Sequence, residues 1–228
     1  MALSDVSRRL EAVRARVAAA CRSAGRDPAE VTLVAVSKRH GPERIREAYD
    51  AGQRVFGENY VQELVGKAEA LAELADLRFR FIGHLQRNKA KYLVRVRAAC
   101  DGLGDLRAAE ALARRVGEGP PLPVLVQVNV AGEAQKSGAA PADLPALVRE
   151  IRALPALRLE GLMTVPPAGD PERARPVFRS LRELAAKEGL AALSMGMSAD
   201  LEVAIEEGAT LVRVGTAIFG PRPPGPRP

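Results

Sequence analysis

Short apolar runs rich in Val, Leu and Ile recur eight times along this chain, and helix-periodic segments lie between them. A strand that is apolar on both faces needs cover on both faces, which is the situation inside a parallel sheet flanked by helices. This alternation constrains the fold more than any other feature.

The first segment stands outside the rhythm. Leu3, Val6, Leu10, Val13 and Val17 recur at spacings of three and four, with Ser4 placed as N-cap and Gly25 as stop. The alternation then begins. Strands are expected at 31–37 (VTLVAVS), 55–59, 78–83, weakly at 97–102, at 123–130 (PVLVQVNV), 158–165, 192–197 and 211–219 (LVRVGTAIF). Helices are expected at 41–52, 60–74, 87–94, 105–117, 142–154, 170–189 and 198–208. Eight βα units in 228 residues fit a single closed (β/α)8 TIM barrel with an extra N-terminal helix. The competing architecture is an open doubly wound sheet, but no G-x-G-x-x-G follows the first strand. The barrel is expected to occupy residues 1–220, and the Pro/Arg/Gly stretch 221–228 to be a disordered tail.

Composition excludes several classes. Hydrophobic residues make up 47% of the chain, enough for a core and too many for general disorder. No apolar stretch is long enough to span a bilayer. Cys21 and Cys100 are the only cysteines, so a disulfide framework is excluded. Arg8, Arg9 and Glu11 interrupt any signal-peptide core, so a cytoplasmic location is expected. The net charge of +6 comes from Arg spread along the chain, without like-charge runs or aromatic interleaving. That pattern suits solvated helix faces, and an RNA-binding barrel finds support only in the basic charge.

A barrel places its chemistry at the C-terminal ends of its strands. Lys38, one of six lysines, directly follows the first strand. Partial desolvation at a barrel mouth would favour its neutral amine, which can trap a carbonyl. The alternative is a plain exposed lysine past a strand end. Ser198 follows strand seven where a helix N-cap belongs, and Gly215-Thr216 lies on strand eight. Together they suit a phosphate, although Ser198 alone reads equally as a simple cap. Arg213 lies between Val212 and Val214 in an apolar strand. It either pairs with a carboxylate inside the barrel or faces a ligand atom that must stay unprotonated. A carbonyl-trapping lysine, a phosphate cradle and an inward Arg together describe a site for pyridoxal 5′-phosphate.

The chain also resembles a known family on AVSK (35–38), FGENYVQE (56–63), FIGHLQRNK (81–89), VNV (128–130) with KSG (136–138), GLMT (161–164), LSMGMSADLEVAIEEGAT (193–210) and VRVGTAIFG (212–220). It is similar to the pyridoxal phosphate homeostasis proteins, relatives of the barrel domain of alanine racemase. The resemblance implies that Lys38 holds the cofactor as an internal aldimine. It implies that Ser198, Gly215 and Thr216 bind the phosphate and that Arg213 faces the pyridine nitrogen. It places Asn59 and His84 near the ring or its lysine. Met163 and Met195 would line the pocket, with core filling as the alternative. Lys136 resembles a second family lysine involved in cofactor exchange. His40 departs from members that carry another lysine two residues after the first.

The expected function is a pyridoxal phosphate carrier for intracellular homeostasis and delivery, without robust catalysis. Its partners would be the cofactor and pyridoxal phosphate-dependent apo-enzymes, with no nucleic acid and no membrane, and the chain would be a monomer or weak dimer. The alternative is an amino-acid racemase of the alanine racemase type. That enzyme needs a second domain contributing a catalytic Tyr, for which the eight residues after Gly220 leave no room.

Overall fold

The computed structural model describes residues 4–133, 136–167 and 169–221. The chain opens on α1 (Asp5–Ser23), where Ser4 Oγ accepts from Ser7 N at 3.1 Å and Asp5 occupies the positive end of the helix. The stripe Val6, Leu10, Val13 and Val17 is buried as the spacing requires, while Leu3 lies outside the described residues.

Strand and helix then alternate: β1 (Thr32–Val36), α2 (Pro42–Asp50), β2 (Val55–Glu58), α3 (Val61–Ala70), β3 (Arg78–Phe81), α4 (Ala90–Arg95), β4 (Ala99–Leu103) and α5 (Leu106–Val116). The second half continues with β5 (Leu122–Gln127), α6 (Leu144–Arg152), β6 (Leu157–Met163), α7 (Pro171–Lys187), β7 (Ala192–Ser194), α8 (Leu201–Glu206), β8 (Leu211–Val214) and α9 (Thr216–Phe219). The strands are parallel and close in sequence order, with β8 against β1 from Thr32↔Leu211 to Ala35↔Val214. The expected TIM barrel is the observed fold, and the open sheet is not.

Two regions fill this barrel differently. Strand side chains such as Phe56, Phe81, Val126 and Val212 join helix residues such as Leu64, Leu112, Ile151 and Phe178 in one continuous apolar layer. Alternation turns the neighbouring strand residues inward. There Asp101, Ser194 and Arg213 are buried, so part of the barrel interior is polar and needs internal partners.

The eighth unit departs from the expected pattern. The run 211–219 is not one strand: β8 stops at Val214, and Thr216–Phe219 turn into α9. Ending the strand there directs Gly215 and Thr216 across the mouth. The expected helix start at Ser198 also shifts. Helix α8 begins at Leu201 with Asp200 as N-cap residue, and Ser198 lies in the preceding turn. Pro221 is described, while the remainder of the expected tail lies outside the described residues. No helix among the described residues is long and apolar enough to cross a membrane.

Candidate functional site at the barrel mouth

Lys38, Asn59, Ser198, Arg213, Gly215 and Thr216 line one cavity of about 350 Å³. These residues come from the ends of β1, β2, β7 and β8, and the cavity size suits a small-molecule site. Chain alternation and closure of β8 on β1 bring them together although they span 179 positions of sequence.

Several local devices set the wall at β7 and β8. Gly196 has φ +89, and a Cβ there would lie 2.5 Å from Ala204 Cβ, so only glycine fits. Asp200 Oδ1 accepts from Met197 N, and Asp200 N donates to Met197 O at 3.2 Å, closing the turn that carries Ser198. Helix α1 holds the same turn from outside. Arg16 Nη2 donates to Ser198 O at 3.0 Å while its Nε pairs with Glu202 at 2.8 Å. Gly215 lets its strand approach β1 closely: a Cβ there would lie 3.1 Å from Val36 O.

Arg213 is 5% exposed. Its Nη1 donates to Ser194 Oγ and its Nη2 to Thr164 O, both at 2.8 Å. Burial pushes the guanidinium below its usual pKa, and the charges of Asp101 and Asp200 oppose that shift. Lys38 is half-buried two residues beyond the end of β1, the strand that pairs with β8.

Four expected residues stand outside this cavity. His84 is exposed and lines a neighbouring cavity with Lys136, whose walls share Asn59, Ile82 and Val165 with the first. Lys136 Nζ donates there to Val165 O at 3.1 Å and pairs with Glu133. Met195 and Met163 line neither cavity. Met195 follows inward-facing Ser194, so alternation sends it into the apolar layer beneath the helices. Met163 is buried at the end of β6, one residue before the carbonyl that accepts from Arg213. Met195 is a core filler, whereas Met163 stands outside the apolar layer that takes its neighbour Leu162.

Other residues were not anticipated. His40, buried and 5.4 Å from the ring of Phe219, completes the wall near Lys38, and Met197 joins it from the β7 turn. Behind that wall Glu58, Glu63 and Lys67 form a buried ionic cluster. The i,i+4 spacing of Glu63 and Lys67 was visible in sequence, but nothing linked it to Glu58.

Comparison with known proteins agrees with this geometry. Residues 9–223 match the family described as alanine racemase, N-terminal domain. A pyridoxal phosphate homeostasis protein of Pseudomonas aeruginosa is 48% identical over 224 residues, covering 96% of this chain and 97% of its own. The chain belongs to the pyridoxal phosphate homeostasis protein family. Among solved structures of this family's fold, PipY of Synechococcus elongatus with pyridoxal phosphate bound superimposes with a TM-score of 0.83 at 37% identity. That match covers 94% of this chain and 100% of PipY. Alanine racemase of Bartonella henselae shares the barrel at a TM-score of 0.73 but only 12% identity, with 96% of this chain and 59% of the racemase covered.

Proposed function

We propose that this member of the homeostasis protein family binds pyridoxal 5′-phosphate at the barrel mouth and serves to store and deliver it. One observation carries the reading. Two cationic side chains, Lys38 and Arg213, and two hydroxyls, Ser198 and Thr216, line one cavity whose described lining holds no carboxylate. That donor set suits a ligand with a phosphate dianion, a ring nitrogen acceptor and an aldehyde. The PipY structure with pyridoxal phosphate bound supports the same ligand class.

When bound, the group would supply an aldehyde, and Lys38 is the residue whose amine would hold it covalently. The other residues divide the remaining work. Ser198 and Thr216 hydroxyls donate to the phosphate, and Gly215 lets the backbone come close. Arg213, fixed by Ser194 and Thr164, presents N–H donors to the ring nitrogen. An Arg donates a hydrogen bond there but supplies no proton, so the ring stays a weak electron sink. Asn59 packs between the two cavities, and Lys136 offers a second amine beside the exit for exchange.

The cavity walls also argue for holding over turnover. Its described lining contains no Tyr. Lys38 and His40 belong to one turn, closed by the His40 N to Ser37 O hydrogen bond. Relatives named as homeostasis proteins fit a carrier whose recipients are pyridoxal phosphate-dependent apo-enzymes. The test is incubation of the loaded protein with a panel of L-amino acids in deuterated water, followed by NMR and chiral chromatography. The carrier reading expects no α-deuterium uptake and no D-isomer. Either product at enzyme-like rates would favour a racemase.

A further inference from the structure

Lys38 sits in a turn gripped on both sides by one buried ionic cluster. On the near side, Ser37 N donates to Gly57 O at 3.1 Å, and Ser37 Oγ donates to Glu58 Oε1 at 2.6 Å. Ser37 O accepts from His40 N at 3.0 Å and from Lys67 Nζ at 2.8 Å. On the far side, Arg39 adopts φ +65, and its N–H donates to Glu63 Oε2 at 2.6 Å. Lys67 Nζ donates to both carboxylates, Glu58 Oε1 and Glu63 Oε2, at 2.7 Å each. One ammonium thus ties together the groups that hold residues 37 and 39.

This arrangement is costly as a stabilising device. Glu58 is fully buried and Lys67 is 5% exposed. Removing such charges from water consumes much of what their attraction returns, and apolar residues of similar volume often serve stability as well. Glu58 Oε2 is buried without a hydrogen-bond partner, a further cost. Arg39 adds strain, because a non-glycine residue disfavours the left-handed region. Strain and buried charge converge on the residue between them.

We infer that Lys67 is a positioning residue for Lys38, acting through Glu58 and Glu63 to fix the turn so that the Lys38 amine meets an aldehyde anchored across the cavity. The inference rests on the proposed function. Position matters most for the covalent contact, because a small misplacement of a reacting amine weakens bond formation far more than it weakens anchoring of the phosphate.

Two ligands separate positioning from mere folding. Pyridoxal 5′-phosphate reports pocket and covalent contact together; pyridoxamine 5′-phosphate, which has no aldehyde, reports the pocket alone. Dissociation constants for both are measured on the full chain, alongside melting curves. Lys67→Met should weaken pyridoxal 5′-phosphate by about tenfold or more and leave pyridoxamine 5′-phosphate unchanged. Lys67→Arg, which keeps the charge, should restore part of the loss. If Lys67→Met does not fold, Glu63→Gln releases only the Arg39 side and should show the same selective loss. Equal weakening of both ligands, or no loss in the folded variants, would overturn the inference. Failure of the underlying reading looks different: wild-type protein and Lys38→Ala would then bind pyridoxal 5′-phosphate equally well, and the inference would fall with it.

Discussion

Arg213 Nη1 donates to Ser194 Oγ at 2.8 Å, and Ser194 passes the contact on to Asp101 Oδ2 at 3.4 Å. Arg80 Nε meets both oxygens of Asp101, at 2.9 and 3.0 Å. A polar chain therefore links Arg80 to Arg213 inside the barrel. Sequence allowed two roles for Arg213, an internal pair or a ligand contact. The side chain is anchored from within by Ser194 and Thr164 rather than by a direct carboxylate pair, and it forms part of the cavity wall.

Arg213→Met should be costly for stability. It removes two charged hydrogen bonds and withdraws a compensating charge from Asp101, which is fully buried. The loss should be about 3 kcal/mol, read from the urea midpoint at unchanged slope. A shift near zero would show that the polar chain contributes little.

Removal of the ligand phosphate should weaken binding strongly. Two charge-assisted hydrogen bonds at about 1.5 kcal/mol each amount to roughly 100-fold in affinity. Titration with pyridoxal and with pyridoxal 5′-phosphate measures this directly. Equal affinity for the two would refute the roles of Ser198 and Thr216.

Lys38→Ala should abolish covalent attachment while costing under about 1 kcal/mol of stability, since the side chain is half-buried at a rim. Phe178→Ala makes the contrast. Phe178 is fully buried on α7, and the cavity left behind should cost about 3–5 kcal/mol. Chemical denaturation of the two variants ranks them, and a Lys38→Ala loss as large as that of Phe178→Ala would place Lys38 in the structural core.

The barrel was legible because burial of both sheet faces forces continuous apolar strands, and strand ends locate the mouth. Lys38, Ser198, Arg213, Gly215 and Thr216 could be picked out for that reason, and Asn59 through the family resemblance. Boundaries were less legible. The run VRVGTAIF is short and mostly apolar, so strand and helix periodicity cannot be told apart in it, and the break at Gly215 is conformational. Ser198 was a reasonable cap by residue type, but Asp200 sits at the actual helix start. Facing was harder to read for Met195, which one residue of alternation separates from the polar interior and which joins the apolar layer. Glu58 and Lys67 were illegible together, because a strand and a helix must pack before their charges meet.

The thiols should be inert in the folded protein. Burial pushes Cys100 up to about 12 and also raises Cys21, and both are buried. The thiolate is the reactive form, so neither should react with a thiol reagent at neutral pH until the protein unfolds. Counting labelled thiols with and without denaturant checks this. Rapid native labelling of Cys100 would show that the layer between barrel and helices opens readily.

The proposed attachment point of pyridoxal 5′-phosphate is Lys38. It is tested most directly by loading the protein, reducing it with borohydride and mapping the modified peptide by mass spectrometry. A phosphopyridoxyl group on Lys38 and no stable label on the remaining lysines is the expected result. A label mainly on Lys136 or Lys89 would contradict it.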